Sequence, residues 1–346
     1  MRYRLLGPTG LRVSELFLGT MTFGEGWGWG APPEECRKIF DAYAEAGGNV
    51  IDTAINYTDG ASERIVGELV APHRDQFVLS TKYTLTTDPA DPNASGNHRK
   101  NLGRSLELSL RRLGTDYIDL FWVHIWDPRT PLDETMRALD DAVRVGKVLY
   151  VGFSDAPAWV VSRANVLAEW RGWTPFAAVQ VPYSLVRRDA ERELIPMAEA
   201  TGLSTVVWSP LADGVLSGKF TRGGTQAPTR VAADSISERD LAIARAVQDV
   251  ADEAGATPAQ VAIAWTMARH RGIHPIVGAR RADQVADNLG AVDVRLDTAA
   301  LDRLEQASAI DLGFPQDFIA GTATFVYGPV GERVEERQPA FRDSER

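Results

Sequence analysis

Cysteine is nearly absent: Cys36 is the single one in 346 residues, so no intrachain disulfide can form and no cysteine-rich metal site can be built. Histidine is scarce as well. The five present (His73, His98, His124, His270, His274) make neither an HxH nor an HExxH pair, so no metal is expected. Basic tracts of five or more residues are missing, and 37 Lys and Arg stand against 47 Asp and Glu, a formal charge of −10. Nucleic acid and anionic lipid surfaces repel such a chain, and neither is expected as a partner. No apolar run approaches the ~18 residues that span a bilayer, and the opening MRYRLLGPTGLRV has no apolar signal core, so a cytoplasmic protein is expected. What is present, 44% hydrophobic and 24% charged residues, is the profile of a globular chain. Its length fits either two domains of roughly 150 residues or one α/β barrel of about 250 with extensions.

The order of apolar runs decides between these. Eight short, β-branched runs recur: Leu16 to Leu18, Val50-Ile51, Phe77 to Leu79, Tyr117 to Val123, Val148 to Phe153, Ala178 to Val181, Thr205 to Trp208 and Ile273 to Val277. Helical patterns lie between most of them, at Pro33 to Ala46, Ser62 to Leu69, Arg99 to Leu113, Leu132 to Val145, Ala158 to Trp170 and Glu191 to Ala200. Strands alternating with helices pair in parallel, because each crossover returns the chain to its starting edge. Eight such units predict an α/β fold of the (β/α)8 TIM-barrel type over residues 1–310. Tyr3 to Leu6 and Leu11 to Val13, around Gly7-Pro8-Thr9-Gly10, predict a hairpin that plugs the barrel bottom. After the seventh strand comes a long loop, Ser209 to Asp234, followed by helical stretches at Glu238 to Ala254 and Ala259 to Arg269. A loop there lies on the ligand-binding face. Residues 311–346 read as an extension whose charged end, GERVEERQPAFRDSER, cannot hold a core and is expected to be disordered.

In such a barrel the residues just after each strand face a common pocket. The second strand ends in Asp52 with Tyr57 five residues on, the third in Lys82, the fourth in His124. A tyrosine titrates near pH ~10, and a close ammonium lowers that value by favouring the phenolate. Lys82 can therefore tune Tyr57 as a proton donor, Asp52 can hold Lys82 charged, and His124 can orient a carbonyl oxygen. Singly, an Asp or His at a strand end is commonly a cap or a packing residue. Together the four form a proton-transfer set, which suits a reductase but also an isomerase, or an aldolase that forms a Schiff base on Lys82.

The spacings go further. Gly19-Thr20-Met21-Thr22-Phe23-Gly24, Asp52-Thr53-Ala54-x-x-Tyr57, Ser62-Glu63-x-x-Val66-Gly67, Ser80-Thr81-Lys82, Leu113-x-x-Asp116-Tyr117-Ile118-Asp119-Leu120 and Gly146-Lys147-Val148-x-Tyr150-Val151-Gly152 stand in order. From about Leu5 to Leu304 the chain resembles the aldo-keto reductases. Trp208-Ser209-Pro210-Leu211 and Gly214-x-Leu216-x-Gly218-Lys219-Phe220 make it look most like their bacterial and potassium-channel β-subunit-like branch. The resemblance implies Tyr57 as general acid, Lys82 and Asp52 as its tuners, and His124 as the residue that orients the carbonyl. It also implies NADPH as cofactor and no metal.

By the same resemblance Thr20, Met21 and Asp52 line the cofactor, Ser154 and Gln180 hold its carboxamide, and Trp208 stacks on the nicotinamide. Ser209, Leu211, Gly214 and Lys219 cover the pyrophosphate, while Gly278, Arg280, Gln284 and Asn288 take the adenosine phosphate. Arg280 is favoured over Arg281 for that contact. Amide pairs with amide, and a flat ring leaves one nicotinamide face open. Asp155 departs from the family's Ser-Asn pair: an ionised carboxylate can accept from the carboxamide but cannot donate to its oxygen.

Gly26-Trp27-Gly28-Trp29-Gly30-Ala31 imitates a dinucleotide fingerprint, but Pro32-Pro33 interrupts it where a helix should already run. This segment reads instead as a mobile substrate loop, with Trp27 and Trp126 as candidate pocket walls. A tryptophan-lined mouth suits apolar or aromatic carbonyls and also the flat face of a sugar. The expected partner is thus a small-molecule aldehyde or ketone, and no feature of the sequence sets an oligomeric state. The alternative is a nicotinamide-binding regulatory subunit with slow turnover. The aldolase reading leaves Gln180, Trp208 and the late arginine pair without a role.

Overall fold

The structure, a computed structural model, describes residues 1–221, 232–270 and 272–333. A two-stranded antiparallel hairpin, β1 (Tyr3–Leu5) and β2 (Arg12–Ser14), precedes eight parallel strands. These are β3 (Phe17–Gly19), β4 (Val50–Asp52), β5 (Val78–Tyr83), β6 (Ile118–Val123), β7 (Val148–Ser154), β8 (Phe176–Pro182), β9 (Ser204–Trp208) and β10 (Ile273–Gly278). They close in sequence order into a barrel, with β10 returning to β3 through Val277 opposite Leu18. Helices cover the outside: α1 (Pro33–Glu45), α2 (Ala61–Val70), α3 (Arg99–Leu113), α4 (Leu132–Arg144), α5 (Ala158–Arg171), α6 (Leu194–Thr201), α7 (Glu238–Ala254), α8 (Pro258–Arg269) and α9 (Ala282–Leu289). Two more, α10 (Thr298–Ser308) and α11 (Gln316–Tyr327), follow. This is the (β/α)8 barrel that the alternation predicts.

Side-chain alternation along each strand divides the apolar residues into two cores. Phe17, Val50, Val78, Leu120, Trp122, Ala178, Val206 and Ile276 cluster with Leu6 and Val13 of the hairpin. Their immediate neighbours Leu18, Ile51, Leu79, Phe121, Val179, Val207 and Val277 pack with the helices. The first set fills the bore. Trp122 occupies so much of it that Gly152 is required opposite, since a Cβ there would lie 2.3 Å from the indole. The hairpin seals the N-terminal end of the strands, where the Gly7 N–H donates to Ser204 Oγ at 2.8 Å. Gly7 has φ +51°, and a Cβ on it would meet the Ala177 carbonyl at 2.1 Å, so glycine is needed there.

Two readings of the sequence are corrected. Asp189–Glu191 forms a separate 3-10 turn, and α6 begins only at Leu194, because the Arg188 guanidinium clamps Glu191 at 2.8 Å and holds the turn apart. The segment after the eighth unit is more helical than its breakers imply: Asp297 caps α10 by accepting from the Ala300 N–H, and α11 follows with Phe318, Ile319 and Phe325 exposed. The Gly26 to Ala31 segment is closed on itself by Gly24 N–H to Ala31 O and Ala31 N–H to Thr22 O. Part of the long loop after β9, and residues 334–346 of the charged end expected to be disordered, lie outside the described residues. Among the described residues no helix is long and apolar enough to cross a membrane.

Candidate active site

The strand period that puts Val50, Val78 and Leu120 in the bore also places Asp52, Lys82 and His124 above them on the inner face, at the C-terminal ends of β4, β5 and β6. Lys82 is fully buried, and its ammonium donates to Asp52 Oδ2 at 2.5 Å, Thr53 O at 2.8 Å and Tyr57 Oη at 3.2 Å. All three of its donors are thereby used. Asp52 Oδ1 accepts from Ser80 Oγ at 2.7 Å and from Gln180 Nε2 at 3.2 Å. A buried ion pair persists only when its remaining lone pairs are satisfied this way.

Burial opposes the charge on Lys82, but Asp52 and Tyr57 outweigh it and raise its pKa above the ordinary lysine value. The expectation for Tyr57 needs correcting. Lys82 does pull it down, yet burial is the larger effect, and Tyr57 lies above the ordinary tyrosine value. It is a protonated phenol at neutral pH. Burial, then the nearby Lys82 charge, push His124 down to about 3, so its imidazole is neutral. Its Nδ1 is buried with no hydrogen-bond partner among the described residues. The rings of Tyr57 and His124 meet edge-on with centroids 6.1 Å apart, and Trp27 approaches Tyr57 in the same manner at 6.5 Å. Trp126 stands edge-on to Trp159 at 5.7 Å.

Tyr57 opens a 3-10 turn in which Thr58 and Asp59 have left-handed φ of 46° and 56°. Such backbone is held by its surroundings. Thr58 Oγ1 donates to Phe23 O at 2.6 Å, and Arg112 donates to Ile55 O at 2.7 Å while pairing with buried Glu63 at 3.1 Å. Glu63 in turn accepts from Thr81 Oγ1 at 2.8 Å. Sequence reasoning missed Ser80, Glu63 and Arg112 as supports. Ser80 was legible as the inner-face residue two before Lys82; Arg112, 49 residues from Glu63, carries no local signal.

Further round the rim, Ser154 stands in register with Gln180, and its Oγ is buried with no hydrogen-bond partner among the described residues. Trp208, half-buried at the end of β9, donates its indole N–H to Asp155 Oδ1 at 3.2 Å. Burial raises the Asp155 pKa, against the pull of that indole and of Lys82. Thr20 lies beneath, its hydroxyl donating to Asp52 O at 3.0 Å, and Met21 is at the surface. Ser209, Ala212, Asp213, Gly214 and Gly218 all have positive φ, which folds the segment with Leu211 into a tight cradle, and the Lys219 amine lies against Gly214. Gly278 is exposed, Asn288 is buried, and Gln284 Oε1 accepts the Arg280 N–H at 3.0 Å.

The unpartnered Ser154 hydroxyl, the half-buried Trp208 face and the backbone cradle beyond it fit a nicotinamide dinucleotide. A buried proton-transfer set beside such a rim defines an NAD(P)H-dependent oxidoreductase. The comparisons narrow the class: the aldo/keto reductase family model matches residues 15–309, and the chain belongs to that family. It is similar to norsolorinic acid reductase A of Aspergillus parasiticus, with 36% identity over 340 residues, 94% of this chain and 86% of that one. It is also similar to a protein of Phanerodontia chrysosporium named aryl-alcohol dehydrogenase (NADP(+)), 37% identical over 337 residues, 91% of this chain and 88% of that one.

Proposed function

We propose that the protein reduces aromatic aldehydes or ketones to alcohols with NADPH, with Tyr57 as the proton donor. The observation that carries the reading is the buried Lys82 ammonium touching Asp52 and Tyr57 together. NADPH supplies the hydride when bound. As the carbonyl carbon is reduced, Tyr57 Oη gives its proton to the carbonyl oxygen, and Lys82 stabilises the phenolate left behind. Neutral His124 donates a hydrogen bond that orients that oxygen. Ser154 and Gln180 would hold the carboxamide and Trp208 the nicotinamide face. Ser209, Leu211, Gly214 and Lys219 would hold the pyrophosphate, and Gly278, Arg280, Gln284 and Asn288 the adenosine end. The aromatic preference is supported by Trp27 beside Tyr57, with Trp126 on the same rim, and by the name of the Phanerodontia relative.

A panel of aryl and alkyl aldehydes and ketones, read by loss of NADPH absorbance, tests this. Turnover that favours aryl carbonyls is expected. NADPH binding with no turnover on any of them would overturn the reading in favour of a binding role.

A further inference from the structure

One acidic side chain near the adenosine end has no part in the chemistry above. Glu35, in the first turn of α1, accepts the Ala282 N–H at the start of α9 through Oε1 at 2.9 Å. Lys38 holds its other oxygen at 3.1 Å. Around it, Arg281 is paired with Asp283 at 2.9 and 2.8 Å, and the Arg280 N–H is taken by Gln284. The partial positive charge of a helix start favours any anion, so a carboxylate and a phosphate compete there for the same donors.

We propose that Glu35 is a specificity-determining residue: its carboxylate takes the anion position at the start of α9, opposes the 2′-phosphate of NADPH, and narrows the margin by which NADPH binds over NADH. The inference rests on the reading that Gly278 to Asn288 receives the adenosine end. A 2′-phosphate reaches the Ala282 N–H only by displacing Glu35, or else sits beside it against like charge. NADH offers a hydroxyl at that position, which can donate to the carboxylate at no charge cost. Lys38 and Arg281 soften the repulsion, and Asp283 adds to it.

Glu35→Gln keeps an acceptor for the Ala282 N–H and removes only the charge. Titrating NADPH and NADH by quenching of tryptophan fluorescence, the NADPH Kd should fall by about 5- to 30-fold, the range of one charge pair at partial screening. NADH should stay within about twofold, and Glu35→Lys should shift the ratio further in the same direction. Equal changes for both nucleotides, or none for either, would overturn the inference while leaving the cofactor reading intact. Wild-type protein that binds neither nucleotide overturns the cofactor reading and this inference with it.

Discussion

The indole N–H of Trp208 donates to Asp155 Oδ1 at 3.2 Å, tying the end of β9 to the residue after β7 across the intervening β8. A carboxylate only accepts, so Asp155 can hold the indole N–H and thereby fix the plane of the Trp208 ring. Asp155 has φ 45°, which Asn tolerates and Ala does not without strain. Asp155→Asn should therefore keep near-native cofactor binding, while Asp155→Ala should weaken NADPH and NADH alike by about 3- to 10-fold, the worth of one hydrogen bond. Fluorescence titration of both nucleotides checks it. A loss confined to NADPH would show that Asp155 does not act through the stacked ring.

As the proposed proton donor, Tyr57 is the group whose removal should separate chemistry from binding. Tyr57→Phe deletes only the hydroxyl, 3.2 Å from Lys82 Nζ, and leaves the ring edges toward His124 and Trp27 in place. NADPH affinity should hold while kcat falls by about 10²-fold or more. Retention of the wild-type kcat would remove Tyr57 from the role of proton donor.

Lys82 has both a chemical and a structural effect. Lys82→Met takes away the charge that restrains the Tyr57 pKa, so that pKa rises further and any residual reduction keeps its rate to higher pH. Asp52 is left buried with only Ser80 and Gln180 as side-chain donors, and breaking one side of such a pair costs about 3–5 kcal/mol. Removing both charges in Lys82→Met with Asp52→Asn should recover part of that loss, read as Tm. Because the folded Lys82 pKa is raised, its contribution to stability is full below the ordinary lysine value and is lost as pH climbs through the higher folded value. A basic limb unmoved in an active Lys82→Met protein would show that Lys82 does not tune the acid.

Much of this site could be read in the sequence because strand alternation is local. Val50 in the bore puts Asp52 on the same face, and Val78 does the same for Ser80 and Lys82, so apolar period and polar ending together mark the pocket. The left-handed turn at Thr58 and Asp59 could not be read, since neither residue type demands it and contacts with Phe23 impose it. Glu35 was hidden for a different reason: its partner Ala282 lies 247 residues away, and a backbone N–H leaves no mark in sequence. The sign of the Tyr57 shift was likewise unreadable, because it depends on how burial weighs against one charge.

The proposed 2′-phosphate contact by Arg280 rather than Arg281 can be tested by substitution. Arg281 is exposed and grips Asp283 through two hydrogen bonds, so its charge is largely answered before any nucleotide arrives. Arg280 precedes it, half-buried, with its backbone N–H held by Gln284 two residues after the end of β10. A charge-assisted hydrogen bond is worth about 1.5–3 kcal/mol, so Arg280→Ala should weaken NADPH by roughly 10- to 100-fold and leave NADH nearly unchanged. Arg281→Ala should do less and would free Asp283, whose unanswered charge then also acts against the phosphate. The two effects differ in salt dependence, because screening quiets the exposed Asp283 more than the loss of a direct contact. Titrations of both variants at low and high salt separate them. A larger NADPH loss in Arg281→Ala at both salt concentrations would transfer the 2′-phosphate contact to Arg281.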